Sequence, residues 1–211
     1  SQMSRGGRHA RIQEASESAL RGLLDVLRIP AFRKDQLDVV YSCGINRVDT
    51  WCQLACAAGK TLIFIVCLLL HCQGSQGAIA ILHSPLRTSI AGTTEELERF
   101  GIQVIKLTSE TRSEVCSLLL AGRPAYPLVV IGTAKQLTHP EFLDALKQPA
   151  DAPKVYGFKD LPRSPVVLFG IDEIHVVQGW SQGFKYSTGI MGRLVDAWDT
   201  WDSGRGPMLG M

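Results

Sequence analysis

No Cys-x-x-Cys pair occurs in the 211 residues, and the six cysteines (43, 52, 56, 67, 72 and 116) lack companion histidines at zinc-ligand spacing. Zinc ribbons and fingers are thereby excluded, and no disulfide framework is legible. The thiols are expected to be free in a reducing intracellular compartment, nuclear or cytoplasmic. Long apolar runs are missing too. The longest, LIFIVCLLL at 62–70, falls far short of the roughly 20 residues that a bilayer span requires. Residues 1–11 are polar and basic without an apolar stretch, so no secretory signal is expected. Charge of one sign is also lacking: 22 Lys and Arg against 20 Asp and Glu leave +2. That balance tolerates an anionic partner without arguing for one. No internal repeat is present, so a solenoid is not expected.

What is present describes an ordinary globular chain, 45% hydrophobic and 20% charged, long enough for a proper core. Residues 1–11 read as a disordered basic tail and 12–211 as one domain. Apolar spacing predicts helices over 12–27 and 32–40, a short strand at 48–54, and a buried helix over 62–70. Further strands are expected at 77–82, 102–107, 127–131, 165–171 and 207–211. The segments 88–100, 110–121, 140–147 and 193–201 read as helices, and the proline-bearing stretch 148–163 as a surface loop. Uniformly apolar strands alternating with helices imply a parallel sheet covered by helices on both faces.

The organising stretch is Leu54 to Thr61, LACAAGKT, where a strand candidate gives way to Gly59-Lys60-Thr61 and then to the apolar helix. Strand, loop, Gly-Lys-Thr, helix is the context of a phosphate loop. The first-turn amides of a helix lack intrahelical partners and sit at its positive end, so they can hold an anion. Lys60 would reach the β- and γ-phosphates of ATP, and the Thr61 hydroxyl would join a Mg²⁺ site. Leu54, Ala57 and Ala58 stand where such loops often carry glycine. The other reading of the stretch is simply the start of a core helix. A second anchor follows the strongest strand: Asp172-Glu173-Ile174-His175. An acidic residue at the carboxyl end of an apolar strand completes the Mg²⁺ site in phosphate-loop ATPases, and an adjacent glutamate can activate water. A solvated turn is the alternative. The two anchors together favour the ATPase.

Asp172-Glu173-Ile174-His175 resembles the Asp-Glu-Ala-His box of superfamily-2 nucleic-acid helicases, and the chain is similar to their first RecA-like lobe. The resemblance implies a RecA-like phosphate-loop NTPase fold of the α/β class. It also implies that Asp172 holds Mg²⁺, Glu173 activates water, and His175 couples the ATP state to a second lobe. Within the superfamily the chain looks RecQ-like, because Phe32-Arg33-Lys34-Asp35-Gln36 resembles a segment in which the glutamine reads adenine and the arginine supports the pocket. Residues 177–185 resemble the aromatic-rich loop that senses single-stranded DNA, with Trp180 and Phe184 at its aromatic positions and Lys185 where arginine is usual. Stacking of bases on such rings is tolerant of sequence. Ser84 and Pro85 resemble a Ser-Pro-Leu turn that contacts the nucleic-acid backbone. Gly132-Thr133-Ala134-Lys135 sits where a Thr/Ser-Pro-Glu turn is expected.

The resemblance runs from about residue 23 to Met211, by the extent of these motifs. In the family this last strand runs into a Ser-Ala-Thr motif and then a second RecA-like lobe, and the chain is expected to stop short of both. That lobe brings an arginine finger, worth roughly 10³–10⁵ in rate in related NTPases. The expectation is a lobe that binds Mg·ATP and single-stranded or partly duplex DNA, with 3′-to-5′ polarity by resemblance, but cannot unwind alone. It would be a fragment of a longer helicase or a truncated product. The alternative is a non-catalytic remnant that binds nucleic acid or protein.

Overall fold

A computed structural model of the chain describes residues 17–54, 59–72, 77–121, 124–147, 166–173 and 206–211. Six parallel strands form one sheet among these residues. They are β1 (Thr50–Trp51), β2 (Ile79–His83), β3 (Gln103–Lys106), β4 (Leu128–Gly132), β5 (Val166–Ile171) and β6 (Met208–Gly210), in the order β1-β6-β5-β2-β4-β3. Strands β2, β4 and β5 are buried along their whole length. This is why they read as continuous apolar runs with no polar alternation.

Residues 17–26 form helix α1. The later helices are α2 (Lys34–Val39), α3 (Lys60–His71), α4 (Arg87–Arg99), α5 (Arg112–Ala121), α6 (Ala134–Leu137) and α7 (Pro140–Lys147). They divide the core in two. Ala80 and Leu82 of β2 face a cluster built with α2, α3 and α4. Ile79 and Ile81 face the opposite cluster, with Val115, Leu119, Leu137 and Phe142 of α5, α6 and α7. Successive side chains of a strand point to opposite faces, so one apolar strand serves both layers.

Two local features depart from the sequence expectation. Helix α2 does not stop at Val40 but runs into a π-helical turn, Val40–Ile45. Gly44 in that turn lies so close to α3 that an added Cβ would stand 2.9 Å from Leu70 Cδ1 and 3.3 Å from Cys67 Sγ. A wide turn with a glycine at the contact has no apolar periodicity of its own to read. The second departure is α6, which occupies what the sequence offers as a polar turn. It is one turn long, with Leu137 N–H bonded back to Thr133 O at 3.0 Å, and too short to show a period. The loop expected at 148–163 and the helix at 193–201 lie outside the described residues.

Three strand ends are level. His83 pairs with Gly132 on one side and Ile171 on the other. The chain leaving β5 stays in register, since Asp172 N–H donates to His83 O at 2.9 Å. Helix α3 sits hard against β5 at Gly170, where an added Cβ would lie 2.6 Å from Phe64 Cε2 and 2.8 Å from Leu82 Cδ1. Both neighbours are fully buried. Overpacking of this kind costs about 1–3 kcal/mol, so Gly170→Ala is expected to lower stability by that amount in urea denaturation. An unchanged midpoint would mean that α3 can lift from the sheet freely.

Candidate functional site

The site starts at the N-terminus of α3. Gly59, the residue before the helix, has φ +75°, a conformation that strains any residue with a Cβ. Space imposes the same choice, because a Cβ on Gly59 would stand 2.6 Å from Gln36 Nε2. Gln36 is buried. Its Oε1 accepts the Arg33 N–H at 2.9 Å, the backward half of a capping box at the start of α2. With the oxygen so engaged, the amide nitrogen is the end turned to the phosphate loop. Arg33 itself is exposed, its guanidinium 3.8 Å from Asp35.

Lys60 and Thr61 open α3. The Ile63 N–H bonds to Gly59 O at 3.2 Å, and the amides before it belong to the unpaired first turn that suits an anion. The Lys60 side chain is 12% exposed, and its Nζ lies 3.8 Å from Glu173 Oε1. Glu173 carries φ +53°, left-handed for a residue with a side chain. Such a conformation costs about 1–3 kcal/mol and persists only where its surroundings fix it. Here it sits just beyond the end of β5, where the chain leaves the sheet.

Asp172 is two residues beyond Gly170, hence on the same face of the strand and towards α3. Burial pushes its carboxyl above the usual aspartate range. Repulsion from Glu173 adds to this, and the Glu173 backbone N–H and Lys60 only partly offset it. A carboxylate held at that disadvantage fits a divalent cation. Among the described residues no cluster of three or more His, Cys, Asp or Glu could hold a metal alone. Mg²⁺ does not ask for one, since it is commonly held by one or two protein oxygens with phosphate oxygens and waters completing the shell. Asp172 and the Thr61 hydroxyl are the fitting donors.

Residues 33–196 match the family described as DEAD/DEAH box helicase. The chain belongs to that family. No curated protein sequence matches it. Among solved structures it is similar to S. cerevisiae Dbp5 carrying L327V, bound to Nup159, Gle1 H337R, IP6 and ADP, with a TM-score of 0.54 and 15% identity. The match covers 90% of this chain and 45% of that one, so the chain spans less than half the length of its structural neighbour. At that identity the likeness is one of fold, and it agrees with the parallel sheet and phosphate-loop topology.

Of the residues singled out for this DEAD/DEAH box domain from sequence, Gln36, Gly59, Lys60, Asp172 and Glu173 gather at the carboxyl end of β5 and the N-terminus of α3. Thr61 follows Lys60 in the same turn. Ser84 does not reach the surface: it is fully buried, its N–H donates to Gly132 O at 3.0 Å, and its hydroxyl is without a partner. Pro85 is half-buried, and Leu86 is exposed. Ala57, Ala58, His175, Trp180, Phe184 and Lys185 lie outside the described residues. In the sequence His83 stands only as the residue leading into Ser84-Pro85-Leu86. Burial pulls its imidazole down to about 4, so it is neutral at pH 7, with Nδ1 unpartnered. A histidine closing an apolar strand was the available signal.

The raised Asp172 carboxyl gives a pH prediction. The folded state holds this proton more tightly than the unfolded chain, so the group opposes folding above its raised value and contributes nothing below the ordinary 3.8. Asp172→Asn is therefore expected to raise the melting temperature of the metal-free protein at pH 7. The gain should shrink as pH falls into the window above 3.8 and vanish beneath it. Thermal melts of both proteins across this range check it, and a gain independent of pH would refute the assignment.

Proposed function

We propose that the chain is the ATP-binding lobe of an ATP-dependent, RecQ-like helicase acting on single-stranded or partly duplex DNA. The observation that carries the nucleotide half is the Lys60–Glu173 contact, beside Asp172 and capped by Gln36 over Gly59. It brings together two stretches more than a hundred residues apart, which supports reading them as the two halves of an NTPase centre. In this reading the first-turn amides of α3 and the Lys60 ammonium hold the phosphates. Glu173, released from Lys60 when phosphate arrives, orients and accepts a proton from the attacking water. Asp172 and Thr61 would hold Mg²⁺, which supplies charge neutralisation at the β- and γ-phosphates.

The adenine would be read by Gln36, with Arg33 supporting the pocket. What supports the RecQ-like reading is the sequence Phe32 to Gln36, with Trp180, Phe184 and Lys185 as DNA contacts and His175 as the relay. Pro85, at the turn before α4, would meet the nucleic-acid backbone, whereas Ser84 is buried beneath it. Unwinding would require a second RecA-like lobe as partner. A remnant that binds nucleic acid or protein without hydrolysing ATP is the second reading, favoured by Leu54, Ala57 and Ala58 in place of loop glycines.

Titration calorimetry with Mg·ATP is expected to give saturable binding that Lys60→Ala abolishes. Glu173→Gln should keep binding while depressing single-strand-stimulated hydrolysis by about 10²-fold or more, the usual scale for losing a general base. Single-stranded DNA and RNA of one sequence, compared as stimulators, decide the substrate. No binding at millimolar ATP by the folded chain would leave the remnant.

A further inference from the structure

Strand β3 ends the sheet on the side away from β1. Among the described residues no strand lies beyond it, so one row of its backbone groups faces outward. The ladder says which. Gln103 N–H donates to Pro127 O at 3.3 Å and Leu107 N–H to Ile131 O at 2.8 Å. Residues 103, 105 and 107 therefore turn their backbone groups towards β4, and Val104 and Lys106 turn theirs away. The Lys106 carbonyl accepts the Thr111 hydroxyl at 2.6 Å, which agrees with that direction and leaves it a second lone pair. Along this edge α4 and β3 form a groove of about 440 Å³. Ala91, Thr94, Glu95 and Glu98 line it from the helix, and Val104 and Lys106 from the strand.

We propose that this edge pairs with the same edge of a second copy of the chain, antiparallel about a two-fold axis between the two Ile105 residues. Parity fixes the register. Val104 packs on the α4 side of the sheet and Ile105 on the other, and Lys106 returns to the α4 side. Across an axis normal to the sheet, opposite residues share a face, and a bonded pair needs outward backbone groups on both strands. Val104 of one copy opposite Lys106 of the other meets both conditions. Each such pair exchanges two N–H···O bonds, and the two sheets join edge to edge.

Charge selects this occupant. An edge lysine ordinarily discourages strand pairing, but here an acidic wall stands ready for it. Helix α4 runs back along β3, since the chain leaves the helix at Arg99 and enters the strand at Gln103. Glu98 is thus level with the start of the strand and Ala91 with its end. In the paired register Lys106 of the second copy falls opposite Val104, at the level of Glu95 and Glu98. Glu95 already meets Arg99 at 3.8 Å, but both partners are exposed and solvent weakens such a pair. Exposed Glu98 and exposed Lys106 are therefore complementary between copies, and the two-fold axis makes each contact twice. Strands β2 and β4 stand between this edge and β5, so the inference does not rest on the nucleotide site.

Sedimentation equilibrium of the full chain over a concentration series is expected to show a reversible monomer–dimer equilibrium. Hydrogen exchange at the Val104 and Lys106 amides should slow as the dimer fills. Lys106→Glu and Glu98→Lys each set like charges across the axis and should weaken dimerisation by about tenfold or more. Mixed in equal amounts, the two variants should associate again, because each reversed charge then meets its opposite. That recovery separates a lost contact from a damaged fold. A chain that stays monomeric at millimolar concentration overturns the proposal, as does a dimer that neither variant weakens. Protection of the two amides already in the monomer would mean that the chain covers its own edge, and overturns it equally.

Discussion

Everything at the site depends on how closely α3 lies on β5. Gly170 has no room for a methyl group beneath Phe64, so helix and strand approach to backbone distance. Lys60 is one turn before Phe64 on the same helix face, and Asp172 is one pleat beyond Gly170 on the same strand face. A single apolar contact thus sets the separation of a cation and two carboxylates that share no local sequence. Raising the helix by the width of a methyl group would part Lys60 from Glu173, whose 3.8 Å contact is already at the limit of an ion pair.

The second support comes from the other side of α3. Helix α2 and its π-turn pack on α3 through Gly44, and their N-terminal end delivers Gln36 to Gly59. The capping bond from Arg33 N–H fixes which way that amide points. Removing glycine at 59 would therefore strain the backbone and collide with the cap at once. The two glycines that matter here, 44 and 59, are both places where another element passes overhead.

Most of the fold was legible because its strands are buried on both faces and its helices are punctuated. LIFIVCLLL, GAIAIL and PVVLFGI need no alternation to be read as core. The parallel six-stranded sheet and the RecA-like class bore out that reading. The π-turn and α6 were not legible, since neither spans a full apolar period and both are held by tertiary contacts: Gly44 on α3, and Gln136 Oε1 accepting from Arg112 Nη2 at 2.9 Å. Helicase membership was readable from Asp172-Glu173-Ile174-His175 and is upheld by the family match over residues 33–196. The RecQ-like subtype stands on the short Phe32–Gln36 match and the aromatic loop alone. The burial of Ser84 could not be foreseen, because Ser-Pro-Leu looks like a surface turn until the Ser84 N–H is seen to bond Gly132 O at 3.0 Å just past the end of β2.

The electrostatics of the centre carry one further step. Asp172 is raised by burial and by Glu173, and the single ammonium of Lys60 sits among both. Among the described residues, two carboxylates against one cation, partly desolvated, leave the site short of positive charge. Bringing ATP alone would worsen this, because the phosphates compete for Lys60 and free Glu173 to repel Asp172. On the proposed reading, Mg²⁺ arriving with the nucleotide would supply charge at Asp172 while Lys60 turned to the phosphates. On that reading the charge balance would therefore favour entry of metal and nucleotide together.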